Sequence, residues 1–502
     1  MDGLIRQFRV AYAATNGEQL AETLSPDVQT HSAKLRAIWG RGDLRSTTAD
    51  LNFLFHQDQA RLSIRLSKEE TSGWYAIYTA YWKAIGEILA AEGLRHDAQS
   101  SWAKVYDAWK DLTLLTVRGY TNHEFENWTI PCLYVTGRYL RLYAMRADAE
   151  RALNNDNTAV DELQDDFDPQ AEENKCLEDC ARHLNRIFQI CASDRAPLEE
   201  SRKWGVYYAV NLLFKTYFKL NSESLSKNVL RVISAGRSDI PPIDKFPKSQ
   251  QTTFKYYEGV LAFLEENYVE AEKHLEMAWL MCHKNAQRNL ELILTYLIPC
   301  RLLTTHTLPS AQLLGPFPRL QKLFMPLAHA IKKSDLRAFD IALRDGEDEF
   351  IKRRVYLTLE RGRDIVLRNL LRKVFIAGGF EPAKDGAAPV RRTRIPITEF
   401  TAAVQISSGE AIDSDEVECL MANMIYKNLM KGYIAHERGT VVLSKSGAFP
   451  GTKQDRRRYT YVIVISRAIN ITTSLSGSLA EVLVPNDYKK YDGWCMGGIS
   501  HG

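Results

Sequence analysis

Residues 413–445, DSDEVECLMANMIYKNLMKGYIAHERGTVVLSK, limit the fold more tightly than any other stretch. Asp413 is a good helix N-cap, and Glu416 three residues later completes a capping-box pattern. Val417, Leu420, Met421, Met424 and Ile425 then recur at three and four, which gives a helix with one buried stripe. Gly432 stands where such a helix would end on a residue of positive φ. Beyond it, Tyr433–Ala435 and Thr440–Leu443 read as β-runs around His436-Glu437-Arg438-Gly439, a hairpin with Gly near its tip. A helix, a stop and a short hairpin make the end of a winged helix. Upstream, Arg363–Ala377 reads as a helix, Glu381–Arg394 as a Pro/Gly/basic loop and Ile395–Ile397 as a short β-run. Thr398 then caps a helix through Gln405, so the whole stretch has the order of a complete winged helix.

A chain of 502 residues has ample core for two or three domains or one long helical array. Its net charge of +3 names no partner, but the local balance does more. Residues 351–400 hold twelve Lys/Arg against five Asp/Glu, whereas residues 155–180 hold ten Asp/Glu against one Lys. The eight cysteines are scattered through apolar helical patterns rather than arrayed as a disulfide framework, which points to a reducing compartment. The first twelve residues lack the basic and apolar regions of a signal peptide, and no run of about 18 apolar residues could span a bilayer. An intracellular protein is expected.

From the N-terminus, residues 1–24 read as helical, ended by Ser25-Pro26. Helices follow at Trp74–Leu89, Trp102–Tyr120 and Pro131–Ala149; the aromatic stripe Trp74, Tyr78, Tyr81 and Trp82 is core between stacked helices rather than a ligand box. The acidic segment Asn154–Glu173 lacks periodicity and reads as a solvated loop. Helical patterns resume at Leu177–Cys191, Leu198–Leu220 and Ser224–Ser234, and Ile240-Pro241-Pro242 interrupts them. TTFKYYEGVLAFLEENYVEAEKHLEMAWLMC then fits a tetratricopeptide-like hairpin, with Gly259 allowing close approach and Tyr268, Ala271, Leu275 and Ala278 packing the second helix into the first. Residues 287–304, 318–333, 336–345 and 347–359 continue as helices. The fold class is therefore an all-α helical-repeat, tetratricopeptide-like array followed by a C-terminal winged helix. The divisions fall at 1–249, 250–362, 363–446 and an irregular tail, 447–502.

Helical repeats running into a winged helix have the plan of the PCI domain, and the resemblance extends to particular motifs. ENWTIPCLYV (126–135), ASDRAPLEESRKWGVYY (192–208), LLFKTYFKLNSESLSKNVLR (212–231), FKYYEGVL (254–261) and LMANMIYKNLMKGYI (420–434) resemble subunit twelve of the constitutive-photomorphogenesis signalosome. That family is related to the PCI subunit of the nuclear transcription-and-mRNA-export complex. FPKSQQTTFKYY and FIKRRVYLTLERGRDI are similar to its filamentous-fungal form. The resemblance covers about residues 1–451. The family usually stops shortly after the residues matching 448–452, whereas this chain continues through Arg456-Arg457-Arg458 and an apolar run to Gly502. No function is assigned to that extension.

No enzyme chemistry is legible. None of the eleven histidines lies two residues from another, as the signalosome-type isopeptidase metal site would need, and no phosphate loop, nucleophile elbow or dinucleotide fingerprint is present. Cys176, Cys180 and His183 share a helix face and could begin a zinc site, but no second pair accompanies them, so buried thiols are the better reading and no metal or cofactor is expected. Two surfaces remain. Arg368, Arg372, Lys373, Arg391, Arg392 and Arg394, with Lys427 and Arg438 near by, are candidate phosphate contacts for RNA or DNA, against the alternative that arginines such as Arg361 and Arg363 pair with neighbouring carboxylates. The outer face of the 413–431 helix carries Cys419, Ala422, Tyr426 and Met430. It lacks the Arg, Asn and Gln that read base edges, apart from Asn423, and is a candidate protein interface. The resemblance implies a second PCI subunit paired through winged helices, a small acidic proteasome-lid-type peptide and no membrane. It further implies a scaffold in mRNA processing or export in the nucleus, with the cytoplasm as a second compartment. The rival is a peripheral signalosome subunit in control of ubiquitin-like modification.

Overall fold

In the computed structural model, helices follow one another from Asp2 to Ala377, and among the described residues strands occur only after them. The described residues are 2–40, 43–57, 66–94, 100–156, 174–236, 239–381 and 390–451. Nearly all of the acidic segment expected as a loop, most of the Pro/Gly/basic loop and the tail from 452 lie outside them. The chain divides into two compact units, Met1–Phe254 and Lys255–Gly502.

The first unit contains α1 (Asp2–Ala13), α2 (Gly17–Thr23), α3 (Val28–Trp39), α4 (Leu44–Asn52), α5 (Lys68–Ala91), α6 (Trp102–Asn122), α7 (Pro131–Asp156), α8 (Lys175–Ala192), α9 (Val206–Lys219) and α10 (Glu223–Ala235). The helical stretch expected over 1–24 is divided into two helices. Thr15 takes a positive φ of 46°, and the Asn16 side chain accepts from the Gln19 N–H to start α2. The aromatic stripe of α5 is core. Trp74, Tyr78 and Tyr81 are fully buried, Trp74 stacks on Phe125 at 4.3 Å, and Trp82 stacks on Trp39 at 4.3 Å. The helix expected over 198–220 begins only at Val206. Buried Asp194 holds the residues before it, accepting from the Ser201 hydroxyl, the Arg202 N–H and the Arg202 guanidinium. Burial pushes that carboxyl up, but these donors outweigh it and bring it to about 2. The ASDRAPLEESRK motif is thus a structural lock.

The second unit starts within α11 (Lys248–Leu264), which meets α12 (Tyr268–Met281) as the expected hairpin, with the Phe263 and Tyr268 rings 5.5 Å apart and His274 3.5 Å from Glu258. A Cβ on Gly259 would lie 2.6 Å from Leu275 Cγ, so the close crossing there requires glycine. Next come α13 (Gln287–Thr304), α14 (Ala311–Leu314), α15 (Pro318–Lys333), α16 (Leu336–Asp345), α17 (Glu347–Lys352), α18 (Tyr356–Glu360) and α19 (Gly362–Ala377). The helix expected over 347–359 is split between α17 and α18 by Arg354, whose φ is 57°.

The winged helix adds β1 (Phe380–Glu381), β2 (Val390–Arg391), β3 (Arg394–Pro396), α20 (Ile397–Ser408), α21 (Ser414–Tyr426), β4 (Gly432–Ala435) and β5 (Thr440–Leu443). β1 and β2 form a short antiparallel pair, and β3, β5 and β4 form an antiparallel sheet in that order. Ile395, Phe400, Val417, Met421, Met424 and Val441 are at most 1% exposed and fill the space between sheet and helices. Thr398 does not cap α20; Pro396 is its N-cap and Thr398 lies exposed in the first turn.

Candidate interaction surfaces of the C-terminal unit

Helix α21 begins at the expected N-cap, with the Asp413 carboxylate accepting from the Glu416 N–H at 2.7 Å, but the Glu416 side chain does not return to the Asp413 N–H, so only half of the expected capping box forms. It ends a turn earlier than expected. Asn428 adopts a φ of 55°, and the N–H groups of Leu429 and Met430 both return to the Met424 carbonyl. Asparagine tolerates this left-handed conformation, so the stop signal was in the sequence at a residue other than Gly432. Gly432 instead lies in β4, where a Cβ would meet the Val442 carbonyl oxygen at 2.4 Å.

The early stop corrects one interface residue. Met430 is not on the outer face of the helix; it turns inward and is 1% exposed. Cys419, Ala422 and Tyr426 do share an outward face at three- and four-residue spacing, and all three are exposed, Tyr426 by 89%. Val417, Met421 and Met424 fill the opposite face.

The cations of residues 351–400 behave differently from one another. Arg368 is 3% exposed and cannot meet a phosphate on the surface. Its guanidinium donates to Asn369 Oδ1 at 3.2 Å and to the Pro450 carbonyl at 3.4 Å, and lies 3.1 Å from His306 Nδ1. The sequence carried a clue, because Ile365, Arg368 and Leu371 recur at three along the buried stripe of α19. Burial, reinforced by the Arg372 charge, pushes its pKa down to about 10. Burial and the Arg368 charge likewise push His306 down to about 4, so the imidazole is neutral and Nδ1 accepts.

Arg391 donates to the Phe375 and Ile376 carbonyls at the end of α19 and lies over the Phe375 and Phe380 rings at 5.4 and 4.6 Å. Arg392 pairs with Glu399 at 2.8 Å, and Lys427 with Asp364 at 2.6 Å. Lys373 donates to the Lys333 carbonyl at the end of α15. Arg361 and Arg363 pair with Glu266 and Asp340. Arg394 and Arg438 are exposed and Arg372 half-exposed, and none of the three forms an ion pair among the described residues.

In the first unit, Cys176, Cys180 and His183 are buried along α8, where the Asp148 carboxylate accepts from the Cys176 and Leu177 N–H groups. Among the described residues, no group of three His, Cys, Asp or Glu is placed to hold a metal ion, and no helix is long and apolar enough to cross a membrane.

Residues 343–445 match the PCI domain, and with helices leading into a three-stranded winged helix they define a PCI-domain protein. The chain is 62% identical to Protein CSN12 homolog of Neurospora crassa over 460 residues, spanning 90% of this chain and all of the relative. It is 57% identical to Protein CSN12 homolog of Gibberella zeae over 458 residues, again 90% of this chain and all of the relative. To PCI domain-containing protein 2 of Danio rerio it is 32% identical over 409 residues, 81% of this chain and 93% of the relative. The chain belongs to the CSN12-homologue family and is a scaffold-type PCI subunit.

Two outcomes are expected from the buried arginine. Arg368→Ala leaves His306 Nδ1, Asn369 Oδ1 and the Pro450 carbonyl without their donor. Loss of about 2–4 kcal/mol from the second unit should follow, with faster amide exchange over residues 444–451, whereas Arg394→Ala leaves both unchanged. Acidification is the second. His306 is held near 4 when folded against 6.5 when unfolded, so between those values only the unfolded chain takes up the proton. Stability should fall through this window by about 3 kcal/mol at the full shift, or about 2 kcal/mol once solvent screening of the half-buried ring is counted, and His306→Asn, which keeps an acceptor and tolerates positive φ, should remove that part of the denaturation–pH profile.

Proposed function

We propose that this chain is a non-enzymatic scaffold subunit that pairs with a second PCI protein and contributes to RNA or DNA binding in transcription-coupled mRNA processing or nuclear export. The observation that carries the pairing is the outer face of α21. Cys419, Ala422 and Tyr426 expose an apolar strip on a rigid helix, and such a strip gains free energy when a partner removes it from water. The same helix offers no arginine or glutamine to base edges, so nucleic acid is assigned to the cations outside it. Arg372, Arg394 and Arg438 are the members of the basic set that burial, ion pairs and backbone carbonyls leave available among the described residues. A small acidic peptide as a further subunit and residence in the nucleus belong to the same reading.

The name shared by the fungal relatives, CSN12 homolog, favours a second reading, a peripheral scaffold of the signalosome in control of ubiquitin-like modification. Affinity purification of the tagged chain separates the two: a second PCI subunit with RNA-processing factors supports the first, and signalosome subunits alone support the second.

Tyr426→Asp places a charge on the exposed strip without touching the core. It should abolish co-purification of the PCI partner while the circular dichroism and melting curve stay as in wild type; a variant that still brings down its partner would remove α21 from the interface. The full chain should also bind labelled RNA or DNA at about 50 mM salt and lose most of it by about 200 mM. Absence of binding at low salt would overturn the nucleic-acid part of the reading and leave the pairing intact.

A further inference from the structure

The register of the winged-helix sheet decides which side chains face water together. Residues opposite one another on adjacent strands lie on one face, and successive residues alternate. Arg394, Val442 and Tyr433 form one row across β3, β5 and β4, and Ile395, Val441 and Ile434 form the next. The second row is the inner one, since Ile395 and Val441 are fully buried. The first therefore faces out: Arg394 is exposed, Val442 half-buried and Tyr433 62% exposed. Lys431 precedes Tyr433 by two residues, and its carbonyl accepts from the Ser444 N–H at 2.9 Å, continuing the ladder. Alternation puts Lys431 on the outer side as well, and it too is exposed.

The outcome is a phenol ring on an open sheet face between two cations, Lys431 roughly 7 Å along its own strand and Arg394 roughly 10 Å away across β5. No Asp or Glu occupies an outward position of the three strands. Among the described residues neither Arg394 nor Lys431 forms an ion pair, in contrast to Arg392 and Lys427 close by. An exposed ring gives a base a surface to stack on, and flanking cations without local counter-charges attract a phosphate backbone.

We propose that this sheet face binds single-stranded nucleic acid, with Tyr433 stacking on a base and Arg394 and Lys431 meeting the phosphates on either side. The proposal rests on the nucleic-acid reading above and deepens it: the reading names cations, and the register names the face and the form of the ligand. A duplex would shield its bases from the ring, and an apolar protein partner would leave both cations facing no opposite charge.

The test uses the full chain with a fluorescent single-stranded oligouridine and, separately, an RNA duplex of the same length, read by anisotropy. Tyr433→Ala should weaken single-strand binding about tenfold with an unchanged melting curve, and Tyr433→Phe should restore it. Arg394→Ala with Lys431→Ala should reduce the salt slope for the single strand by about 1.4, two phosphates' worth. Duplex affinity should be lower and indifferent to Tyr433→Ala. Single-strand binding by wild type that Tyr433→Ala leaves intact would overturn this surface while the broader reading stands. Equal loss in Tyr433→Phe would overturn stacking, since the ring remains. Tighter binding of the duplex would overturn the ligand form. No binding of either RNA at low salt would overturn the reading and the proposal together.

Discussion

The second unit depends on a positive charge taken out of water without a carboxylate to meet it. Arg368 is satisfied by neutral acceptors from separate parts of the chain: the imidazole of His306 after α13, the amide of Asn369 on its own helix, and the carbonyl of Pro450 beyond the last strand. A buried cation with neutral partners is tolerated only while every partner is in place, because each one lost leaves a charge in low dielectric. The arrangement therefore ties the segment after β5 to the helices in front of the winged helix. Gly451 fits the same place for a steric reason: at a φ of 74° it lies where a Cβ would come within 2.6 Å of His306 Nδ1. The Ala448 carbonyl accepts from the Lys431 N–H, which anchors the segment to the start of β4 as well.

Folding engages many of the cations of the basic stretch within the protein itself. A run of arginines read along the chain is a count of charges, whereas a ligand meets only those left over after folding. Arg361, Arg363, Arg392 and Lys427 neutralise carboxylates, and Arg391 and Lys373 satisfy carbonyls at the ends of α19 and α15. Exposed pairs of this kind add little stability one by one, about 0–1 kcal/mol each. Their larger effect is to cancel field locally, so that the potential a polyanion senses comes from fewer residues than the composition implies.

What could be read from the sequence follows the range of the interactions involved. The stripe Val417, Met421, Met424, the Asp413 cap and the hairpin around Gly439 are set by neighbours within a few residues and occur where the periodicity and turn chemistry put them, while Leu420 and Ile425, expected in the same stripe, lie half-buried at its edges. The aromatic stripe of α5 is core for the same reason, since an amphipathic period declares its buried face. Arg368 could not be assigned in that way, because its partners lie 62 and 82 residues away and nothing local distinguishes it from Arg372. Met430 was misplaced by a different mechanism. A stop one turn early takes the residues after it off the helical period, and at Met430 that exchanges an outward position for a buried one.

The two faces of the winged helix differ in chemical character. On α21 the exposed strip is apolar and lies on a helix fixed by a fully packed opposite side, which favours a partner that excludes water. On the sheet the exposed row mixes an aromatic ring with cations that form no ion pair among the described residues, a surface whose cations would be costly to bury against an apolar partner and inexpensive to place beside phosphate. One module of about a hundred residues thus carries two surfaces of opposite character that share no side chain. The division originates in two backbone facts: the left-handed Asn428 that ends the helix before its last turn could blend into the strand, and the register that sets Arg394 opposite Val442 and Val442 opposite Tyr433. A one-residue slip in that register would exchange the inner and outer rows and bury Tyr433 and Arg394 in place of Ile434 and Ile395. The packing of Ile395 and Val441 on the helices is therefore what keeps the ring and the cation on the surface.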